Sequence, residues 1–431
     1  MPPDDSAVDS SVNILVMNAG SSSHKVRLYR IEGPGLPDDP PDPLWEGKIE
    51  WSAPGGAERT VTRNTAVDKA TARETLPPGT ARADGVSHLL EMLWRGGMAV
   101  LGGPDEVAAI GHRVVHGGRH LREPMRVTPD VMATIQELAP LAPEHNPAAC
   151  EGMEITEKLF GQAAPGVAVF DTAFHRTIPD AATVYPGPYA WVEQGIRRYG
   201  FHGISHAWCA ERAARMLVDH DPGTLRLICC HLGNGCSLAA VRGGQCVDTT
   251  MGFTPMEGLM MGSRAGSIDP GVLLHLLGQH GGPTLSDLGR VLNEESGLKG
   301  LSGVSEDLRA VLSAIDGGDE RARLALDVYI HRLCWHIGAM TASLGGLDAL
   351  VFTAGVGENS AVVRRAACRP FAFLGLALDE GKNAGVSETD PGTDRDISRA
   401  DSRVRVLVIP AHEEWAVARE CWRLTFAGKA A

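Results

Sequence analysis

Apolar and polar positions alternate with strand or helix periodicity along most of the chain. In VNILVMNAGSSSHKVRLYRI an apolar run at 14–17 is followed by a Gly/Ser turn and by renewed alternation through Val26, Leu28 and Tyr29, which predicts a β-hairpin. Residues 33–85 are rich in Pro, Gly and charge and read as extended hairpins and surface loops. A helix is predicted over 87–101, then a strand over 110–115 that ends in His116-Gly117-Gly118. Further strands are predicted over 166–170, 225–231, 237–241, 245–249, 349–353 and 404–409. Amphipathic helices fall between them, clearest near 270–280, 320–345 and 412–424, and this alternation argues for an α/β architecture.

Two of the hairpins are alike. LVMNAGSSSHKVRLY and ICCHLGNGCSLAAVR share an apolar strand, a polar residue, one further residue, Gly, a small polar turn and a returning strand. Their equivalent residues Asn18 and His231 stand about half the chain apart. The spacing points to a duplicated fold in which each half opens with a hairpin whose turn faces a common cleft.

Composition narrows the class. A chain of 431 residues with 43% hydrophobic and 22% charged residues has globular proportions and room for two or three domains. The net charge of −13 argues against a duplex nucleic-acid partner, which needs clustered Lys and Arg to neutralise phosphate. Nine Cys, an odd number without a CxxC pair, suit buried thiols in a reducing compartment rather than a disulfide scaffold or a structural zinc site. The opening MPPDDSAVDS has no basic stretch followed by an apolar one and reads, over 1–11, as a disordered lead. No apolar run approaches a membrane span, so no membrane partner is expected and the cytoplasm is the default location.

Glycine, at 51 residues, is in excess, and three strand-terminal turns concentrate small residues: NAGSSS (18–23), HLGNGCS (231–237) and TAGVGENS (353–360). Glycine lets the backbone approach a ligand and aim consecutive N–H groups at an anion such as a triphosphate. A helix expected to start near Asn359 or Ser360 would point its positive end at the same ligand. Each turn could also be merely tight, and none has the spacing of a P-loop or a Rossmann site.

Several charged residues lie beside such turns. Arg113 is in GHRVVHGG, Arg264 in MGSRAGSIDPG and His202 in RRYGFHGISH, and phosphoryl transfer requires donors of this type around the equatorial oxygens. Asp171, in VAVFDTAFH, is placed either as a helix N-cap or as a carboxylate beyond a strand end. Glu413 follows a predicted strand and either starts a solvated helix or faces a metal. His112, His116 and His120, like His202 and His206, have the i, i+4 spacing of helical metal ligands, although structural histidines are the commoner outcome.

Taken together, NILVMNAGSSSHK, GHRVVHGG, LAPEHNP, FDTAFH, RYGFHGISH, HLGNGCSLAAV, DTTMGFTPMEGLMMGSRAG, SGVSEDLR, FTAGVGEN and VIPAHEE resemble the acetate kinase family, within the superfamily of acetate and sugar kinases, Hsp70 and actin. The resemblance runs from Asn13 to about Arg423. It implies two duplicated actin-like (ribonuclease H-like) α/β domains with an interdomain active-site cleft. Their expected extents are 12–175 plus 412–431, and 176–411, with hinges near 173–180 and 409–412. It also implies reversible phosphoryl transfer from ATP to acetate, with ATP as co-substrate, Mg²⁺ (or Mn²⁺ in its place) and a homodimer.

On the family pattern Asn18 and Glu413 lie at the metal. Lys25, His231, Leu232, Gly233, Asn234, Gly235, Asp307, Leu308, Arg309, Gly355, Val356, Gly357, Glu358 and Asn359 bind ATP. Arg113 holds the acetate carboxylate, Asp171 is the catalytic carboxylate, and His202 and Arg264 stabilise the transferring group. Val115, His145, Phe201 and Pro255 belong to the acetate site. A carboxylate substrate is already ionised at neutral pH, so such a site must chiefly overcome anion–anion repulsion, and Asp171 is then better placed as an orienter than as a base.

The chain departs from the pattern in three places. Glu144 stands where an apolar residue is usual, Ala411-His412 replace Thr-Asn, and Ser267 replaces an Asp. Glu144 keeps propionate or butyrate open as the substrate. A nucleotide switch of the Hsp70 or actin type and a hydrolase using the histidine pairs are the alternatives from other classes.

Overall fold

The protein is described by a computed structural model that covers residues 11–20, 22–33, 35–51, 56–65, 68–386 and 392–427. The expected disordered lead lies, apart from Ser11, outside the described residues. The chain forms two compact units, one running to Ala173 and joined by the segment from His412 onward, the other spanning Phe174–Ala411. No described helix is long and apolar enough to cross a membrane.

The first unit is built on a mixed sheet of β1 (Val12–Ala19), β2 (Ser23–Ile31), β3 (Trp45–Glu50), β4 (Glu58–Asn64), β5 (Lys69–Thr75), β6 (Val107–Val114), β7 (Met125–Arg126) and β8 (Gly166–Phe170). Their spatial order is β5-β4-β3-β2-β1-β6-β8-β7. β1 pairs antiparallel with β2 and parallel with β6, which pairs parallel with β8. Ile14, Leu15, Val16 and Met17 are all buried, as expected for a central strand covered on both faces. The helices Asn146–Phe160 and Glu413–Phe426 pack on β1 and β6. Gly111 allows the second of these to come close, since a Cβ there would stand 2.7 Å from Val417 Cγ1.

The second unit repeats the plan with β9 (Arg226–Leu232), β10 (Cys236–Arg242), β11 (Gln245–Thr249), β12 (Ala349–Thr353), β13 (Arg395–Asp396) and β14 (Arg405–Val408), ordered β11-β10-β9-β12-β14-β13. β9 pairs antiparallel with β10 and parallel with β12, which pairs parallel with β14. Strand for strand this matches β3-β2-β1-β6-β8-β7, including the antiparallel edge strand, so the likeness of the two sequence hairpins is the trace of a duplication.

Some predicted elements are corrected. The helix expected over 87–101 is Arg82–Glu91. Beyond it Gly96 takes φ +77° and the amides of Val100 and Leu101 turn back to the Leu93 carbonyl. Within 33–85 the expected hairpins form as the antiparallel strands β3–β5, but they extend the sheet, and Trp45, Ile49 and Val61 are buried in its core rather than on the surface. The TAGVGEN turn is itself a short helix, Ala354–Asn359, while the helix expected to start near Asn359 or Ser360 does so, as Ala361–Cys368, whose Ser360 cap accepts from Val363 N.

Trp415 is fully buried in the C-terminal helix and meets Tyr29 edge-on at 5.3 Å. Trp415→Ala is expected to destabilise the first unit by about 3–5 kcal/mol, read as a lower urea midpoint; an unchanged midpoint would show that the helix is not part of that core.

Candidate active site

Parallel pairing brings three strand ends together in the first unit. Asn18 and Arg113 are register partners on β1 and β6, and Arg113 partners Val169 on β8. Asp171 comes just after β8, its amide donating to the Val114 carbonyl (2.9 Å). The Arg113 guanidinium donates from Nε to Asp171 Oδ1 (3.1 Å), from Nη2 to Oδ2 (2.6 Å) and from Nη1 to Asn18 Oδ1 (3.2 Å). This two-point fork fixes both the position and the plane of the guanidinium. Asp171 is therefore engaged by Arg113, and the turn that follows is a short 3₁₀ segment, Ala173–Thr177.

Burial pushes the Asp171 carboxyl up, to about 6, against the pull of Arg113 and with the push of Glu413. Burial alone would lower Arg113, but Asp171 and then Glu413 outweigh it and hold it firmly charged. Glu413 begins the C-terminal helix directly after His412, which has φ +38°. The amide oxygen of Asn18 and the carboxylate of Glu413 are hard oxygen donors, the ligand type Mg²⁺ and Mn²⁺ take, so these residues fit such an ion. Lys25 is exposed on β2, opposite Asn18.

The HGG loop after β6 is braced from within. Asn146 is completely buried, its Oδ1 accepting from His116 N (3.2 Å) and its Nδ2 donating to His116 O (3.0 Å). The Gly117 amide donates to Thr172 Oγ1 (3.1 Å). Val115 is buried and His145 half-buried, whereas Glu144 is exposed. Asn146 was not singled out from the sequence, although it lies in LAPEHNP and its Asn-Pro pair opens a helix. His112 belongs to a strand, and its Nε2 shares a hydrogen bond with Thr156 Oγ1 (3.3 Å).

In the second unit the β9–β10 turn is backed by histidines. His202 Nδ1 and His206 Nε2 both bond Ser237 Oγ, at 2.9 and 2.7 Å. His202 stacks on His231 with ring centroids 4.1 Å apart, and His231 Nδ1 bonds Ser205 Oγ (2.9 Å). A Cβ on Gly235 would lie 3.3 Å from His202 Nε2 and 3.8 Å from Arg264 Nη1, so these two cationic or donor groups border the same glycine. Arg264 Nη1 donates to the Pro255 carbonyl (3.1 Å), and Phe201 is buried with its carbonyl bonded to His175 Nε2 (2.9 Å).

Beside that turn opens a cavity of ≈ 490 Å³ lined by Gly233, Asn234, Leu298, Glu306, Asp307, Leu308, Arg309, Leu312, Gly355, Val356, Asn359 and Ser360. Leucine and valine side chains on one part of its wall and glycine backbone on another suit a planar base and its phosphates. Leu298 and Leu312 were not foreseen, because ordinary helix residues carry no motif, and Glu306 and Ser360 adjoin the expected residues within SGVSEDLR and TAGVGENS. His231, Leu232, Gly235, Gly357 and Glu358, expected at the nucleotide, are not among the residues that line the cavity. Leu232 is fully buried, and Glu358 Oε1 accepts from the amides of Ala354 (2.8 Å) and Ala411 (3.0 Å). The buried Arg364 donates from Nη1 to the carbonyls of Gly357 (2.9 Å) and Glu358 (2.6 Å), and burial lowers it to about 10.

Among the described residues, three non-glycine residues have positive φ: His202 (56°), Ala354 (63°) and His412 (38°). All three border predicted site loops, where sparsely populated backbone conformations concentrate. Ser267, the replacement for an Asp, closes its loop by accepting from Gly258 N (3.0 Å).

Comparison with known proteins gives this arrangement a family. The model described as "Acetokinase family" matches residues 13–419. The acetate kinase of Gloeobacter violaceus is 56% identical over 412 residues, covering 96% of this chain and 99% of that protein. The crystal structure of Porphyromonas gingivalis acetate kinase superposes with a TM-score of 0.84 at 37% identity, over 96% of this chain and 99% of that one. A propionate kinase from Francisella tularensis superposes with a TM-score of 0.83 at 34% identity, over 96% and 100%. The two-unit α/β fold is thus shared with these kinases, and the chain belongs to the acetokinase family.

Proposed function

We propose that this protein is an acetate kinase, transferring the γ-phosphoryl group of ATP directly and reversibly to acetate, with acetyl phosphate and ADP as products. The observation that carries this is a guanidinium anchored at the strand ends by Asp171 and Asn18, in a chain similar along its length to acetate kinases.

In this proposal Arg113 binds the acetate carboxylate with the N–H groups that Asp171 and Asn18 leave over, and Asp171 sets the plane of the guanidinium. His202 and Arg264 donate to the phosphoryl oxygens as charge spreads over them, a type of contact worth about 10²–10³ in rate per donor. The walls of the second-unit cavity hold the nucleotide, with Gly233, Gly235 and Gly355 leaving room for backbone amides at the phosphates, aided by His231. Lys25 adds positive charge from β2. Val115, His145, Phe201 and Pro255 are assigned to the acetate. Asn18 and Glu413 would hold Mg²⁺, or Mn²⁺ in its place, which when bound would supply positive charge to offset that of the phosphates. In-line transfer requires both residue sets to act on one phosphoryl group during turnover.

The exposed Glu144 carboxylate can be solvated and need not repel a small acid, so it is no obstacle to acetate. Nine free thiols support a cytoplasmic, reducing location. The helix Pro270–Leu277 buries none of its residues, and Leu274 and, at the start of the next helix, Leu285 are 73% and 77% exposed. An apolar face of this kind supports a homodimer.

Purified protein with ATP, Mg²⁺ and acetate is expected to form hydroxamate-trappable acyl phosphate, and its persistent absence from folded protein would refute the proposal. Arg113→Ala and Arg264→Ala should each lower kcat/KM at least ~100-fold while ATP binding, measured by calorimetry, persists. Glu144→Leu is expected to alter the acetate-to-butyrate selectivity by less than about threefold, whereas a change of about 1–3 kcal/mol would place Glu144 in the acid pocket. Leu274→Glu should shift the mass found by light scattering from dimer to monomer; a wild-type protein that is already monomeric would remove the homodimer.

A further inference from the structure

His202 is one of four histidines gathered in the second unit, and its neighbours constrain which of its ring nitrogens carries a proton. His206 is completely buried, and burial, then His175 and His231, drives its pKa well below the ordinary value, so its ring is neutral. Its Nδ1 has no hydrogen-bond partner among the described residues, while its Nε2 lies 2.7 Å from Ser237 Oγ. A buried N–H without an acceptor is a rarer and costlier arrangement than a bare lone pair. The His206 proton therefore sits on Nε2 and is donated to Ser237 Oγ.

Ser237 is itself fully buried and has one hydroxyl proton for two imidazoles. Since it accepts from His206, it donates to the other neighbour, His202 Nδ1, 2.9 Å away. A ring nitrogen that accepts carries no proton. His202 then holds its proton on Nε2, the atom that a Cβ on Gly235 would approach to 3.3 Å. The ring is kept in this orientation by the left-handed backbone of His202 and by stacking on His231, whose own Nδ1 is held by Ser205.

We propose that Ser237 and His206 are positioning residues that fix His202 as the neutral tautomer with its proton on Nε2. Resting on the acetate kinase assignment, this makes His202 a preoriented neutral donor to the transferring phosphoryl oxygen, with positive charge left to Arg264 and the other cations. The deeper histidine would not touch substrate, and its proton would not be transferred in the reaction. It would determine the direction of the hydrogen-bond chain His206 Nε2–H to Ser237 Oγ–H to His202 Nδ1.

The test uses the full-length protein labelled with ¹⁵N-histidine, with His202 signals identified by their loss in His202→Gln. Nitrogen shifts separate protonated from unprotonated ring positions. The expected pattern is Nδ1 bare and Nε2 protonated at both His202 and His206. Ser237→Ala should give His202 a mixture of tautomers and lower kcat roughly 10–100-fold, with KM for ATP held within about threefold; Ser237→Thr, which restores the hydroxyl, should recover the pattern and most of the rate. A protonated Nδ1 at His202 in the wild-type protein overturns the proposal, as does a Ser237→Ala enzyme with unchanged kcat. If Ser237→Ala fails to fold, the wild-type spectrum decides alone. A wild-type protein without acetate kinase activity would refute the functional assignment, while the spectrum would still test the tautomer.

Discussion

Everything at the two site regions depends on parallel pairing of buried central strands. A parallel strand covered on both faces cannot slip by one residue without turning its apolar side chains toward the wrong neighbours. β1, β6 and β8 are locked in this way in one unit, and β9, β12 and β14 in the other. The residues at their carboxyl ends inherit the register: Asn18 beside Arg113 with Asp171 next, and His231 beside Thr353. Polar chemistry at strand ends is the usual position for ligand sites in α/β sheets. Its precision comes from the core beneath it, not from the loops.

That core also explains how an acidic chain serves anionic substrates. A net charge of −13 sets only the far field. Near the strand ends a few cations dominate because they are partly withdrawn from water and aimed. Asp171, buried and charged against Arg113, does not cancel the cation so much as immobilise it. The cost of burying the pair is met by two hydrogen bonds and by the Asn18 contact. Removing Asp171 would leave a guanidinium free to rotate, whereas removing Arg113 would leave a buried carboxylate with no cation in contact.

Much of the fold was legible because periodicity reports burial directly. Strands β1, β2, β6, β8, β9, β10, β11, β12 and β14 lie where alternating or continuous apolar runs placed them, whereas β7 and β13 carried no such run, and the likeness of NAGSSS to HLGNGCS correctly signalled duplication. Where the reading failed, local signals were overruled by packing. Trp45, Ile49 and Val61 sit among Pro, Gly and charged residues, and only the sheet beside them makes that stretch a core element. The pattern over 87–101 is helical in period, but Gly96 ends the run. TAGVGEN reads as a glycine turn, yet Glu358 and Arg364 satisfy its backbone groups and turn it into a helix.

The sequence by itself determined the α/β class, the internal repeat, the family and the residue types gathered at the strand ends, because each of these is written in local pattern. Only the tertiary structure decided how the groups are used. It engaged Asp171 with Arg113 rather than a helix cap, turned Glu144 to solvent, and gave Glu358 to two backbone amides. It also set two imidazoles on one serine hydroxyl. The physical reason is that hydrogen-bond direction, burial and charge state depend on partners distant in sequence, and no spacing along the chain specifies which of them arrives within 3 Å.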